Sequence, residues 1–153
     1  MDFGVIKITQ TNNHNLIHKT VMTMIDDIIE DGTSYDCFVI DTNKDCWLEV
    51  KDDGEFVGLF QLSPFNRTVL DIHCYILKDK RNKSRLYIDS TLNWFKYVAP
   101  EMYKKLITQT PYKHIKKLLL KIGFESEGCY KKTFTKNKER LDLYLFGLER
   151  VDI

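Results

Sequence analysis

The dipeptide Asp53-Gly54, between two runs of alternating apolar and polar residues, constrains the fold of this chain more than any other feature. Both positions of a tight two-residue turn require a positive φ, which Asp and Gly tolerate. The runs at 47–51 and 56–62 are therefore predicted to pair as an antiparallel hairpin. A turn around Pro64 leads to a third run, 68–77, which alternates in the same way. The three runs predict an antiparallel meander.

Three segments around the meander have the apolar spacing of helices. Apolar residues recur every three or four positions in 14–30, which Asp31-Gly32 ends, and in 86–99, which stops before Pro100. A third helix is expected after Thr110 and Pro111, which supply a cap and a first-turn proline, and it ends at Gly123. Helices are thus predicted on both sides of the meander in sequence.

Further strands complete the layout. They are expected at 3–9, 106–108, 124–135 and 141–148, with the last two joined by a turn at 136–140. The short run 37–41 is equally compatible with strand and loop. The predicted order is strand, helix, hairpin, strand, helix, strand, helix, hairpin, which is a mixed α/β (α+β) arrangement.

The composition is that of an ordinary globular protein. The chain has 153 residues, of which 43% are hydrophobic and 29% charged, with neither repeats nor a linker, so residues 1–153 are expected to form a single domain. Its 23 basic and 22 acidic side chains leave a formal charge of +1, which argues against nucleic acid or an anionic membrane as partner. Neither a signal peptide nor a run of about 18 apolar residues is present, so a cytoplasmic location is expected.

Four cysteines could form disulfides, and two of the histidines have a spacing found in metal sites. The cysteines are widely spaced without a C-x-x-C pair, and we expect reduced thiols in the core. His14 and His18 have the spacing of metal ligands on a helix, but no Cys, Asp or Glu cluster completes a site, so we predict no metal. The lysines that follow Pro111 favour a solvated helix face over a nucleic-acid contact.

The segment Lys121-Ile-Gly-Phe-Glu-Ser-Glu-Gly128 carries a family resemblance. A helix that ends in K-x-G-F and is followed by E-x-G is typical of Gcn5-related N-acetyltransferases (GNAT), and the meander is similar to that family's third and fourth strands. The resemblance extends from about residue 47 onward and is greatest to small acetyltransferase-like proteins carried by bacteriophages. It implies a central mixed, mostly antiparallel sheet of six or seven strands flanked by helices.

The resemblance also implies acetyl-CoA as cofactor and a loop that binds its pyrophosphate. In the family, backbone N–H groups at a helix N-terminus bind the phosphates within a Q/R-x-x-G-x-G/A pattern. Arg81 matches that pattern, whereas Ser84 and Leu86 stand where glycines are usual, and nearby basic residues add charge for the phosphates. The implied cofactor residues are Ile76, Leu77, Arg81, Asn82, Lys83, Ser84, Arg85 and Leu86.

The resemblance identifies the catalytic residues less directly than the cofactor loop. The family's tyrosine on the last helix, four residues before Gly123, is replaced here by Leu119, and its asparagine by Tyr112. Asp71 and His73 share one face of the third meander strand, so either can act as the base that deprotonates an amine; the alternative is a solvated or internally paired surface. Tyr130 is a candidate proton donor, as is Tyr144, although packing is the commoner role of a strand tyrosine.

Two functions remain open from the sequence. The first is an acetyl-CoA-dependent N-acetyltransferase that acts on a primary amine, either a small molecule or a lysine or N-terminus of a host or viral protein. The second is a catalytically inactive module of the same fold, structural or host-interacting, which Leu86 and Leu119 favour. In either case we expect a monomer or homodimer in the cytoplasm, the host's if a phage encodes the chain.

Overall fold

The computed structural model describes residues 2–3 and 5–153, and its framework is one sheet. The strands are β1 (Asp2–Phe3), β2 (Ile6–Gln10), β3 (Cys46–Asp52), β4 (Glu55–Pro64), β5 (Val69–Ile76), β6 (Lys105–Thr110), β7 (Glu125–Lys136) and β8 (Glu139–Glu149). They lie in the order β1-β2-β3-β4-β5-β6-β8-β7, and β5 and β6 are the parallel pair. The predicted mixed, mostly antiparallel sheet is confirmed. The described residues contain eight strands when the two-residue β1 is counted, and Gly4 of the predicted first strand lies outside them.

Helices cover both faces of this sheet. They are α1 (His14–Met22), α2 (Ile25–Ile28), α3 (Ser84–Val98) and α4 (Lys113–Ile122). Phe95 of α3 and Leu119 of α4 belong to the larger core, on one face, whereas Ile17 and Val21 of α1 pack on the other face against Trp47 and other residues of the sheet. No helix in the described ranges is both long and apolar enough to cross a bilayer.

The predicted meander is confirmed as strands β3, β4 and β5. At the hairpin turn Asp53 has a φ of 50° and Gly54 a φ of 81°, the left-handed values that this dipeptide tolerates. Side chains of β5 alternate between the two faces of the sheet. Those of Leu70, Ile72 and Ile76 pack in the core under α3, while that of Tyr75 packs in the cluster under α1. Both faces of the meander are therefore covered, which fixes its position at the centre of the molecule.

The first predicted helix, 14–30, is wrong in its extent because the chain breaks at Thr23 and Met24. The Thr20 hydroxyl donates to the Leu16 carbonyl at 2.7 Å, and the Thr23 hydroxyl donates to the Thr20 carbonyl at 2.7 Å. Such side-chain bonds compete with the helical ladder. The break also lets Met24 and the adjacent Ile25 both pack in the cluster under α1.

Two smaller expectations are corrected. Pro111 precedes the last helix instead of opening it, because the Thr110 hydroxyl accepts the Tyr112 N–H at 3.1 Å and α4 starts only after Tyr112. The cysteines are free thiols, as expected, but they are not core residues: Cys37 and Cys74 are exposed, and the other two are half-buried. The predicted end of α4 at Gly123 is confirmed, with a φ of 121° that favours glycine.

The parallel pairing of β5 and β6 is short and determines the shape of the site. It covers three residue pairs and ends where Asp71 lies beside Ile107, although β5 continues to Ile76 and β6 to Thr110. The Thr108 hydroxyl donates to the Ile72 carbonyl at 2.9 Å as the last bridge between the strands. Beyond it the two strands share no ladder. We call this gap the cleft.

Candidate active site

Cys74 shows that the cleft is open. Its side chain is exposed although it lies in the middle of a central strand, on the face whose neighbours Ile72 and Ile76 are buried under α3. Although the residue is exposed, the surrounding protein desolvates its thiolate, and this desolvation raises the pKa of Cys74 to about 12. The thiol is thus neutral at physiological pH and unsuited to be a nucleophile.

The segment after β5 forms the end of the cleft. Residues Lys78–Lys83 form a 3₁₀ helix that passes directly into α3 at Ser84. Of the predicted cofactor residues, Ile76 ends β5 and Leu77 precedes the 3₁₀ turn. Arg81, Asn82 and Lys83 lie in that turn. Ser84, Arg85 and Leu86 lie in the first turn of α3, whose N-terminus is a natural site for an anion. Some backbone donors are used internally, since the Lys80 N–H bonds to the Leu77 carbonyl at 2.9 Å. Leu86 is 45% exposed, so its side chain is directed to solvent and does not pack into the core.

Acidic partners neutralise the basic side chains of this turn. Lys80 Nζ lies 2.9 Å from Glu55, and Lys83 Nζ lies 3.0 Å from Asp52 Oδ2, which also accepts the Tyr87 hydroxyl at 2.8 Å. The hydrogen bond from Tyr87, more than the Lys83 ammonium, lowers the pKa of Asp52. Desolvation, followed by the Asp52 contact, raises the pKa of Tyr87 to about 12. Asp52 therefore fixes the turn to the tip of the β3–β4 hairpin.

Asp27 of α2 lies at the mouth of the cleft and contacts both sides of it. Its carboxylate is 3.8 Å from Lys78 Nζ and 3.9 Å from Arg81 Nη2, both in the turn that follows β5. Its backbone carbonyl accepts the Tyr112 hydroxyl at 2.8 Å, in the segment that follows β6. The two ion pairs are long and exposed, so they are weak, and Lys78 and Arg81 stay available to another anion.

The structure brings together the two predicted bases. Asp71 Oδ1 and His73 Nε2 are 3.4 Å apart, on the face of β5 opposite Cys74 and at the last ladder pair before the cleft. Their side chains are 24% and 35% exposed, so the pair is reached by solvent from one side. Asp71 Oδ1 is itself buried, and His73 Nε2 is its ion-pair partner among the described residues.

The tyrosine candidates lie elsewhere. Tyr130 is on the edge strand β7, where it pairs with Leu143 of β8 and is 57% exposed. Since β8 separates β7 from β6, Tyr130 is not brought to the Asp71 and His73 pair. Tyr144 of β8 packs its ring under Lys116 Nζ at 4.3 Å. His14, considered above as a metal ligand, instead lies 3.3 Å from the Thr42 hydroxyl.

A network of side chains near the pair was not predicted as part of the site. Gln61 donates from Nε2 to Asp45 Oδ2 at 2.9 Å and accepts the Tyr75 hydroxyl at 2.8 Å, while Trp47 stacks on Tyr75 with ring centroids 5.7 Å apart. The available signal was Gln61 itself, a polar residue within the apolar run 56–62. This network lies on the same sheet face as His73, which is the register partner of Gln61.

Comparison with known proteins identifies the fold. No protein-family model and no curated protein sequence matches the chain. Among solved structures, spermidine N-acetyltransferase from Vibrio cholerae in complex with CoA and spermine superposes with a TM-score of 0.76 at 15% identity, covering 97% of both chains. An N-acetyltransferase from Staphylococcus aureus superposes with a TM-score of 0.70 at 14% identity, covering 97% of this chain and 99% of the other. The chain therefore has the fold of these N-acetyltransferases.

Proposed function

We propose that the protein is an acetyl-CoA-dependent N-acetyltransferase whose acceptor is a small aliphatic amine. The observation that carries the proposal is the open cleft, which has a basic turn and a helix N-terminus at one end and the Asp71 and His73 pair at the other. The similarity to solved spermidine N-acetyltransferases favours a polyamine over a protein lysine as the acceptor.

The residues present fit acetyl-CoA along the cleft. Arg81 and Lys78 offer cationic groups to the pyrophosphate beside the N-terminus of α3, a 15-residue helix whose dipole favours an anion there. The edge of β5 beyond Ile72 has no ladder partner in β6, so its backbone N–H groups can polarise a thioester carbonyl. Acetyl-CoA supplies the activated acyl group.

His73 is the proposed base. With Nε2 toward Asp71, the neutral imidazole presents Nδ1 as the acceptor for the amine proton. The amine nitrogen then bonds to the thioester carbon, the carbon–sulfur bond breaks, and the CoA thiolate leaves and takes a proton from solvent. Asp71 stabilises the imidazolium that forms. The raised pKa of Cys74 makes this thiol a poor acyl carrier, in keeping with direct transfer from acetyl-CoA to the amine.

The test is an assay of thiol release from acetyl-CoA with spermidine, 1,4-diaminobutane and a lysine peptide as acceptors. We expect the intact protein to acetylate the small amines, and His73→Gln to lower kcat by about 100-fold or more. His18→Gln, an exposed histidine on α1, is the matched control and should be unchanged. If the protein acetylates no acceptor, the inactive-module reading replaces this one.

A further inference from the structure

A buried chain of hydrogen bonds on the acceptor face of the sheet ends at Asp45. Tyr75 and Gln61, which are 4% and 8% exposed, form its first two links and hold Asp45 Oδ2. The Gln61 amide donates from its nitrogen and accepts at its oxygen, so these two bonds fix its orientation. The other carboxylate oxygen, Asp45 Oδ1, is therefore held in a fixed position as well.

Among the described residues, three buried side-chain polar atoms lack a hydrogen bond, and their residues share this face. They are Asp45 Oδ1, Trp47 Nε1 in a residue that is only 1% exposed, and Asp71 Oδ1, whose neighbour at 3.4 Å is the His73 imidazole. A buried polar group without a partner is costly, so such groups are normally hydrogen-bonded or reserved for a ligand. Within the described part of the chain, neither carboxylate has a lysine or arginine partner. Their charges remain available to a cation from outside.

The ladder register relates the two carboxylates. Ser63 of β4 is the register partner of Asp71, while Asp45 directly precedes the end of the β3–β4 ladder and is bonded to Gln61 of β4. The two carboxylates therefore lie on opposite sides of β4, and two inter-strand spacings correspond to about 10 Å. Trp47, Gln61 and His73 form the adjacent row across the same strands. The atoms without hydrogen bonds thus belong to residues on one face of the sheet.

We propose that Asp45 binds the distal ammonium of the acceptor while Asp71 and His73 receive the amine that reacts. An ammonium offers three N–H donors and a positive charge, which match a carboxylate oxygen without a donor. With carboxylates on alternate strands, the acceptor is an aliphatic diamine or polyamine whose nitrogens are separated by roughly three to five carbons. Asp45 is then a specificity residue, and Gln61 and Tyr75 position it.

This inference rests on the proposed function but is tested by binding, which needs no catalysis. The probes are 1,4-diaminobutane and 1-aminobutane, titrated calorimetrically into the intact protein with CoA present. We expect tighter binding of the diamine, and in Asp45→Asn a loss of about tenfold or more for the diamine with little change for the monoamine. Asp36→Asn, which alters an exposed aspartate in the 3₁₀ turn at 35–37, is the control and should bind both probes as the intact protein does.

The outcomes separate the site from the proposed function. Equal effects of Asp45→Asn on both amines, or none on either, overturn the Asp45 site even when acetylation is observed; the unpaired oxygen then binds only water. Diamine binding that depends on Asp45 without any acetylation supports the site and refutes the enzyme. In the kinetic assay the same variant should raise KM for the diamine without lowering kcat, which a general loss of structure does not produce. If Asp45→Asn fails to fold, Asp45→Ser serves in its place.

Discussion

Arg150 is predicted to stabilise the fold far more than an exposed arginine such as Arg140. Its guanidinium donates to the carbonyls of Lys96, Ala99, Pro100 and Tyr103 at 2.9 to 3.3 Å, and it lies 4.9 Å from the Phe95 ring centroid. Three of these carbonyls belong to the end of α3 or the residues just after it, where carbonyls lack helical partners. Arg150 therefore fixes the end of the helix whose other end lies at the cleft.

Arg150→Met removes these donors and keeps an apolar stem against Phe95. A hydrogen bond from a charged donor contributes about 1.5 to 3 kcal/mol, but water reaches this half-buried site and the bonds are not additive, so we expect a loss of about 3 kcal/mol in the free energy of unfolding. Urea unfolding should show a lower midpoint with an unchanged slope. Arg140→Met, which removes one exposed bond to the Lys132 carbonyl, should lose less than about 0.5 kcal/mol. A loss of less than about 1 kcal/mol in Arg150→Met would refute the reasoning.

Two further predictions concern the hairpin strands. In Gly58→Ala the new Cβ would lie 2.6 Å from the Tyr75 carbonyl oxygen, a backbone atom, so we expect a loss of more than about 2 kcal/mol by urea unfolding. In Gly147→Ala the Cβ would meet only a movable side-chain carboxylate, and a loss above about 1 kcal/mol there would contradict the argument. Because the Tyr87 hydroxyl holds the folded pKa of Asp52 below its ordinary 3.8, the stability from Asp52 is complete well above pH 3.8 and is lost as pH falls through the lower folded value. The free energies of unfolding of the intact protein and of Asp52→Asn should thus differ at pH 7 and converge as the pH is lowered toward 3. A difference that stays constant over this pH range would rule out this role for Asp52.

The elements that sequence reasoning predicted correctly are those fixed by local chemistry. Asp53-Gly54 determines its hairpin because positive φ is needed at both positions, and Gly123 ends α4 for the same reason. The break between α1 and α2 was missed because no glycine or proline marks it; it follows from the packing of Met24 and Ile25 under the sheet. Tertiary packing thus overrode the helical pattern.

The candidate site was predictable only in part. Asp71 and His73 are two residues apart on one strand, so their proximity follows from the period of a strand. Asp45 lies in a polar turn where carboxylates are usually solvated, and only the strand register places it beside Gln61. The extent of the β5–β6 ladder, which opens the cleft, depends on contacts between distant segments and has no local signal.

Calorimetric titration with CoA tests the central claim most directly, because every proposed role depends on a cofactor in the cleft. We predict binding of one CoA per chain, weakened about tenfold in Arg81→Ala at the end of the cleft. Arg67→Ala, which alters an exposed arginine just before the opposite end of β5, should bind CoA as the intact protein does. Absence of binding to both CoA and acetyl-CoA by the folded, intact protein would contradict the account.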